Sequence, residues 1–159
     1  EWLMNGTGDV LMQPMKAAEG VPFIDVETAE CGRPGGLSGA IMSADCQQVS
    51  IPGVPRGTDF FIRAAGYSMI NEESPELSIP PGSLVGAQKL SENPFMRWGD
   101  VYVLSTPDGV MIKRLFQDDD LDYLRCVSYN KANYPEFRIL KSDIFECARI
   151  TCVVPVYVR

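Results

Sequence analysis

The sequence predicts a mainly β, barrel-like single domain. Short runs rich in Val, Ile, Leu and aromatic residues alternate with Gly, Pro, Asn and Asp, as expected for short strands joined by tight turns. A chain of 159 residues with 45% hydrophobic content can bury one sizeable core. The sequence contains neither internal repeats nor low-complexity tracts. One β domain is therefore the predicted fold class.

The predicted strands follow one another along most of the chain. They are Phe60–Ala65, Ser83–Gln88, Asp100–Ser105, Val110–Phe116, Tyr123–Ser128 and Ile144–Val158. The segment Thr106-Pro107-Asp108-Gly109 predicts a hairpin turn, because Pro presets one dihedral angle and Gly accepts the left-handed one. Met69–Glu76 is predicted to hold a short helix that carries Ser68 at its start. Residues 1–20 lack the strand pattern, so we expect the domain to occupy residues 21–159.

Charge and composition exclude several classes of protein. The net charge of −7, from 14 basic and 21 acidic residues, makes the chain a poor nucleic-acid binder by itself. No apolar run approaches the roughly 18 residues that a membrane helix needs, and no signal peptide is recognisable, so we expect a cytoplasmic protein without a membrane partner. Five cysteines without paired spacing indicate reduced thiols, and without histidine they predict no metal and no cofactor.

Ser68 and Lys113 are the candidate catalytic residues. The chain has no histidine, so a serine nucleophile would need another base, and a lysine kept neutral by burial is the best candidate. The period of a strand places Met111, Lys113 and Leu115 on one face, so the amine would stand among apolar side chains, where the pKa of a lysine falls. Taken singly, a serine after glycine is more often a turn residue, and a lysine in a hairpin strand is more often solvated.

Three motifs in order make the chain resemble the LexA-type family of self-cleaving Ser-Lys peptidases, which includes LexA, lambdoid phage repressors and UmuD. Cys31-Gly32 is similar to the family's scissile bond, Gly66-Tyr67-Ser68-Met69 to its nucleophile segment, and Lys113-Arg114-Leu115 to the end of the strand that carries its base. The similarity runs from about Val21 to Val154. It also includes Ile79–Val85, Gly99–Val103, and Ser128-Tyr129-Asn130 followed by Tyr134.

The resemblance implies a fold, a reaction and partners. The fold would be a LexA-type domain of short strands with a short helix near the nucleophile. Lys113 would accept the proton of Ser68, which would attack the carbonyl of Cys31, while Gly66 and Met69 would shape the nucleophile turn. The family's partners would be a second copy of the chain and a recombinase filament that acts as co-protease. Two departures are Tyr67, where the family has a short polar or acidic residue, and the long segment between nucleophile and base.

The first residues suggest a domain upstream. Glu1–Gly8 resembles the end of the helix-turn-helix domain of phage-type repressors, and Asp9–Gly20 would be a linker. Operator DNA would then be bound through that N-terminal domain. The alternative is a tail anchored by one tryptophan. Residues 1–20 are accordingly interpreted as the remnant of a DNA-binding domain plus linker.

Three functions stay open at this point. The first is a self-cleaving transcriptional repressor, favoured by the residues that resemble a helix-turn-helix domain. The second is a UmuD-like accessory subunit of a translesion polymerase, favoured by Cys31-Gly32-Arg33-Pro34. The third is a catalytically inactive dimerisation module, suggested by Tyr67 and the longer loops. In all three, the apolar run Ala148–Val158 predicts an uncovered strand that pairs with a second copy.

Two further features have ordinary structural explanations. The acidic run Asp118-Asp119-Asp120 is typical of a solvated turn rather than of a cation site. Arg63 and Arg114 could position the cleavage segment, although exposed arginines on strands are common.

Overall fold

The computed structural model describes residues 20–25, 34–43, 46–92 and 94–157, and within them the chain is mainly β, as the sequence predicts. One helix, α1, spans Gly36–Met42. The strands are β1 (Val21–Ile24), β2 (Gln47–Val49), β3 (Phe60–Arg63), β4 (Leu84–Lys89), β5 (Val101–Thr106), β6 (Gly109–Gln117), β7 (Tyr123–Val127), β8 (Phe137–Leu140) and β9 (Glu146–Val154). They form one sheet in the order β2-β1-β3-β4-β9-β5-β6-β7-β8.

The hairpin of β5 and β6 lies inside the sheet, between β9 and β7. Its register runs from Val101 opposite Arg114 to Thr106 opposite Gly109, and Gly109 has a φ of 108°. The Thr106 hydroxyl accepts a hydrogen bond from the Asp108 amide at 3.2 Å and donates one to the Gly109 carbonyl at 3.0 Å. The turn predicted at this point is confirmed, and a left-handed glycine closes it.

The hairpin separates two apolar clusters, because successive side chains of a strand point to opposite faces. Val103 and Ile112 belong to the first cluster, together with Phe60 and Ile62 of β3. Tyr102, Leu104, Leu115 and Cys126 belong to the second. Both faces of β5 and β6 are therefore covered, and a side chain on either face stands among apolar neighbours.

The prediction of a short helix over Met69–Glu76 is wrong. The chain makes turns and bends there, and a single 3-10 turn forms only at Pro75–Leu77. The Asn71 side chain accepts hydrogen bonds from the amides of Glu73 at 3.1 Å and Ser74 at 2.9 Å. An Asn side chain that binds the backbone amides just after it competes with helical hydrogen bonding, and the residue before a proline avoids the helical region.

The C-terminal run is less exposed than the sequence suggests. Its strand, β9, ends at Val154, because Pro155 follows and cannot donate to a sheet. Ala148 and Arg149 are paired on both sides, with β4 and with β5. In the described part of the chain, Ile150–Val154 pairs only with β4. The uncovered edge is therefore the second half of β9 rather than the whole run Ala148–Val158.

The sequence pattern did not predict α1, β1, β2 or β8. The helix begins after Gly35, which has a φ of 73°, and contains two glycines of its own. The carboxylate of Glu146, far along the chain, accepts hydrogen bonds from the amides of Leu37 at 2.8 Å and Ser38 at 2.9 Å. These bonds satisfy amide donors at the start of the helix. No helix within the described ranges is long and apolar enough to cross a bilayer.

Gly86 lies on β4 in a tightly packed part of the sheet, and substituting it tests this packing. A Cβ added there would lie 2.7 Å from Cys152 Sγ and 3.0 Å from both Phe61 Cε1 and Thr58 Cγ2. We expect Gly86→Ala to lower the free energy of unfolding by about 1–3 kcal/mol, because neighbours on three segments must shift. Urea titration followed by circular dichroism measures the effect.

Gly39 of α1 provides the matched control, because a Cβ there meets nothing within 4 Å. Gly39→Ala should raise the free energy of unfolding by about 0.5–1 kcal/mol, since alanine is the better helix former. Equal effects of the two substitutions would contradict the packing described here.

Candidate active site

Ser68 stands on a turn after β3 that the backbone holds tightly. Gly66 has a φ of 73°, a conformation that favours glycine, although a Cβ there would meet nothing within 4 Å. Met69, which is 3% exposed, packs into the first apolar cluster. The amide of Ile79 donates to the Met69 carbonyl at 2.8 Å. The turn is thus fixed by a left-handed glycine before Ser68 and a buried methionine after it.

Asn130 connects the nucleophile turn to the loop after β7. Its backbone amide donates to the Ser68 carbonyl at 3.0 Å, and its side-chain amide donates to the Tyr67 carbonyl at 3.3 Å. The Tyr134 amide in turn donates to the Asn130 carbonyl at 3.0 Å. Ser68 is therefore held from outside its own turn, by a segment about sixty residues further along the chain.

Lys113 lies on β6, opposite Tyr102 of β5. Its amine Nζ donates a hydrogen bond to Ser128 Oγ at 2.9 Å, and it lies 5.7 Å from the centroid of the Tyr134 ring. Ser128 is only 2% exposed. The lysine side chain is thus half-buried and directed toward a buried hydroxyl and an aromatic ring.

Burial is the main influence on the electrostatics of Lys113. Removal of water from the amine lowers its pKa, and the nearby Cys126 acts in the opposite direction. Burial raises the pKa of the Cys126 thiol to about 11, so this group carries no charge near neutral pH. The surroundings of Lys113 therefore make the neutral amine, which is the form that can accept a proton, easier to reach than it is in water.

Ser68 and Lys113 line the same cavity, of about 180 Å³, between the end of β3 and the first half of β6. The other lining residues are Ile62, Arg63, Ala64, Ala65, Met69, Ile79, Val110, Met111 and Ile112. Most of this surface is apolar, which suits both an uncharged amine and the side chains of an extended peptide. A larger cavity, of about 870 Å³, contains neither Ser68 nor Lys113.

One edge of β6 is open beside this cavity. β5 pairs with residues Gly109–Arg114 of β6, whereas the pairing with β7 begins only at Arg114. In the part of the chain that the structure describes, the β7-side edge of Val110–Lys113 therefore has no strand partner. An unpaired strand edge beside a nucleophile and an amine can receive a peptide by main-chain hydrogen bonding.

The two arginines singled out in the sequence lie in different surroundings. Arg63 lines the cavity, where its guanidinium donates to the Gly82 carbonyl at 3.1 Å and lies 5.7 Å from the Phe23 ring centroid. Arg114 donates to the Gly99 carbonyl at 3.0 Å and is not among the residues that line this cavity. Only Arg63 is therefore placed where it could meet a bound peptide.

In the acidic run Asp118-Asp119-Asp120, the first carboxylate forms an ion pair and the other two face solvent. Asp118 accepts hydrogen bonds from two guanidinium nitrogens of Arg138, at 2.8 and 2.9 Å. The Arg138 bonds hold the pKa of the Asp118 carboxyl below its usual value. Asp119 and Asp120 are exposed, as expected for a solvated turn. Among the described residues, no group of three or more His, Cys, Asp or Glu could hold a metal ion.

The structure brings together more residues than the sequence singled out. Cys31 and Gly32, the predicted scissile pair, lie outside the described residues. Ser128, Asn130 and Tyr134 were part of the resemblance but had no predicted role, and all three contact the nucleophile turn or Lys113. Their signal in the sequence was the motif Ser128-Tyr129-Asn130 followed by Tyr134, which begins at the end of a predicted strand and does not tell what the side chains contact.

Comparisons with known proteins identify the family of this chain. A search among curated proteins gives no significant match. A family model described as Peptidase S24-like matches residues 29–151, which is most of the chain and includes Ser68, Lys113 and the loop after β7. The chain therefore belongs to the Peptidase S24-like family, that of LexA, UmuD and the phage repressors.

Proposed function

We propose that this chain is the self-cleaving and dimerising C-terminal part of a LexA- or phage-repressor-like transcriptional regulator. Ser68 would be the nucleophile, Lys113 its base, and Cys31-Gly32 the bond that is cut. The observation that carries the proposal is that Ser68 and the desolvated Lys113 line one apolar cavity in a chain without histidine. Membership of a family whose members are generally serine peptidases supports it.

The reaction follows from the two side chains. The neutral Lys113 amine takes the hydroxyl proton of Ser68, whose oxygen then attacks the Cys31 carbonyl carbon. As the tetrahedral intermediate collapses, the Lys113 ammonium returns the proton to the Gly32 nitrogen, which leaves as an amine. Water next attacks the ester between Cys31 and Ser68 while Lys113 takes its proton. As the second tetrahedral intermediate collapses, the Lys113 ammonium returns that proton to the Ser68 oxygen, and the Cys31 carboxyl group is released. The backbone amide of Ser68 is our candidate for stabilising the oxyanion.

The substrate is part of the same chain. The cleavage segment would pair along the open edge of Val110–Lys113 and place the Cys31 carbonyl at Ser68. Tethering raises the effective concentration of the bond by orders of magnitude, so a serine activated only by lysine suffices. Each molecule would cut itself once, with a recombinase filament as co-protease, and cleavage would separate the upstream DNA-binding domain from the dimerising domain.

The regulator role depends on residues 1–8, which resemble the end of a helix-turn-helix domain and lie outside the described residues. Operator DNA would be bound through that upstream domain, since the net charge of −7 is unfavourable for direct binding. The UmuD-like alternative depends on Cys31-Gly32-Arg33-Pro34. An inactive module is the less favoured alternative, because the site retains a nucleophile and an amine in one cavity.

One prediction concerns the nucleophile and the base. Purified chain should cleave near Cys31-Gly32 faster at about pH 9–10 than at pH 7, because the pKa of Lys113 is lowered from its ordinary value and higher pH populates the neutral amine. Ser68→Ala and Lys113→Ala should each slow cleavage by about 10³-fold or more. Gel electrophoresis over time measures the rates.

Ser91→Ala and Lys141→Ala are the matched controls, because both residues line the larger cavity instead. They should cleave at the parent rate. The assignment fails if either active-site variant also cleaves at that rate.

The scissile bond is tested at Gly32. Gly32→Val should block cleavage, because a β-branched side chain hinders the close approach of the backbone to Ser68. Mass spectrometry of the parent products should find one fragment ending at Cys31 and another beginning at Gly32. Circular dichroism and sedimentation should show an unchanged fold and assembly in the variant. A cut elsewhere, or a Gly32→Val chain that still cleaves, would contradict the proposal.

Association is tested through the open half of β9. Ile150–Val154 pairs only with β4 in the described part of the chain, and a mostly apolar strand with one unpaired edge tends to pair with another chain. We expect a two-fold homodimer through this edge. Sedimentation equilibrium at roughly tens of micromolar chain should give the mass of a dimer. A monomer under these conditions would refute it.

A further inference from the structure

Ser128 is a buried hydroxyl with one specific contact. It follows the last residue of β7, where Val127 is paired with Arg114 of β6. Continuing this antiparallel register by one residue places Ser128 opposite Lys113 on the same face. Ser128 is 2% exposed, and its Oγ accepts a hydrogen bond from Lys113 Nζ at 2.9 Å.

Ser128 does not line the cavity that contains Ser68, so it is not placed to react with a peptide. It begins the segment that also holds the nucleophile turn through Asn130 and brings the Tyr134 ring within 5.7 Å of the Lys113 amine. One short segment thus contacts both Ser68 and Lys113. This segment therefore helps to set the position of Lys113 relative to Ser68, in addition to the position that the sheet gives each of them.

We propose that Ser128 is the positioning residue for the base, which holds the Lys113 amine so that its lone pair is directed toward Ser68. This inference depends on the proposed role of Lys113. A neutral amine has two N–H groups and one lone pair, and a long lysine side chain has many rotamers. When one N–H is bound to a buried hydroxyl, the rotation of the amine is restricted, and the lone pair remains available on the cavity side.

Several other groups could affect the titration of Lys113. Tyr102 lies opposite on β5, and burial raises the pKa of its hydroxyl. Cys126 on β7 has its pKa raised to about 11 by burial. Tyr134 faces the amine from the loop, and Arg63 lines the same cavity as a permanent positive charge. Burial moves the titrations of Tyr102 and Cys126 to higher pH and that of Lys113 to lower pH, so it separates these groups from Lys113.

The first test compares cleavage in three variants. Ser128→Ala should reduce the plateau rate by about 10- to 100-fold, the size expected for a small misplacement of a catalytic group, and Ser128→Thr should restore most of it. Ser83→Ala is the matched control, because Ser83 is also fully buried but its hydroxyl has no hydrogen-bond partner in the described part of the chain. The control should cleave at the parent rate. A parent-like rate in Ser128→Ala would overturn the inference.

The second test does not require cleavage. In chains labelled with ¹³C at lysine Cε and carrying Ser68→Ala, NMR measures the pKa of Lys113. Removing the Ser128 hydroxyl should shift its titration to lower pH, because the hydrogen bond that stabilises the ammonium form is lost. Ser83→Ala should leave it unchanged. An unchanged titration in the Ser128→Ala background refutes the positioning role, whereas a shifted titration in a chain whose parent never cleaves refutes only the proposed function.

Discussion

The burial of the Lys113 amine is the constraint on which the candidate site depends. Removal of water lowers the pKa of the amine, and β6 provides such a position because both faces of the β5–β6 hairpin are covered by apolar clusters. A charged amine at such a position would be unfavourable. The fold therefore has to supply a partner, and it does so with the Ser128 hydroxyl and the Tyr134 ring.

The same constraint explains how the site is divided among elements. The base is on β6, a strand inside the sheet, whereas the nucleophile is on a turn that Gly66 and Met69 shape. These two elements are far apart in sequence and are connected by the segment after β7, through Asn130. The open edge of Val110–Lys113 lies beside both. An unpaired strand edge at the site is thus suited to a peptide that belongs to the same chain.

Predictions from the sequence were reliable where local chemistry determines the conformation. The hairpin at Thr106–Gly109 was predicted correctly, because proline, aspartate and glycine specify a turn without help from the rest of the chain. The helix over Met69–Glu76 was wrong, because the Asn71 side chain binds the following amides. α1 was missed because its capping carboxylate, Glu146, is more than a hundred residues away in the chain.

By itself, the sequence determined the mainly β class, the nucleophile and base candidates and, through its motifs, the family. These follow from strand periodicity, the absence of histidine and the order of short motifs, all of which are local or additive properties. Only the tertiary structure decided that Ser68 and Lys113 share a cavity, that Ser128 binds the amine, and that only the second half of β9 has an unpaired edge. Such contacts depend on strand order and register, which bring distant residues together and which no local pattern specifies.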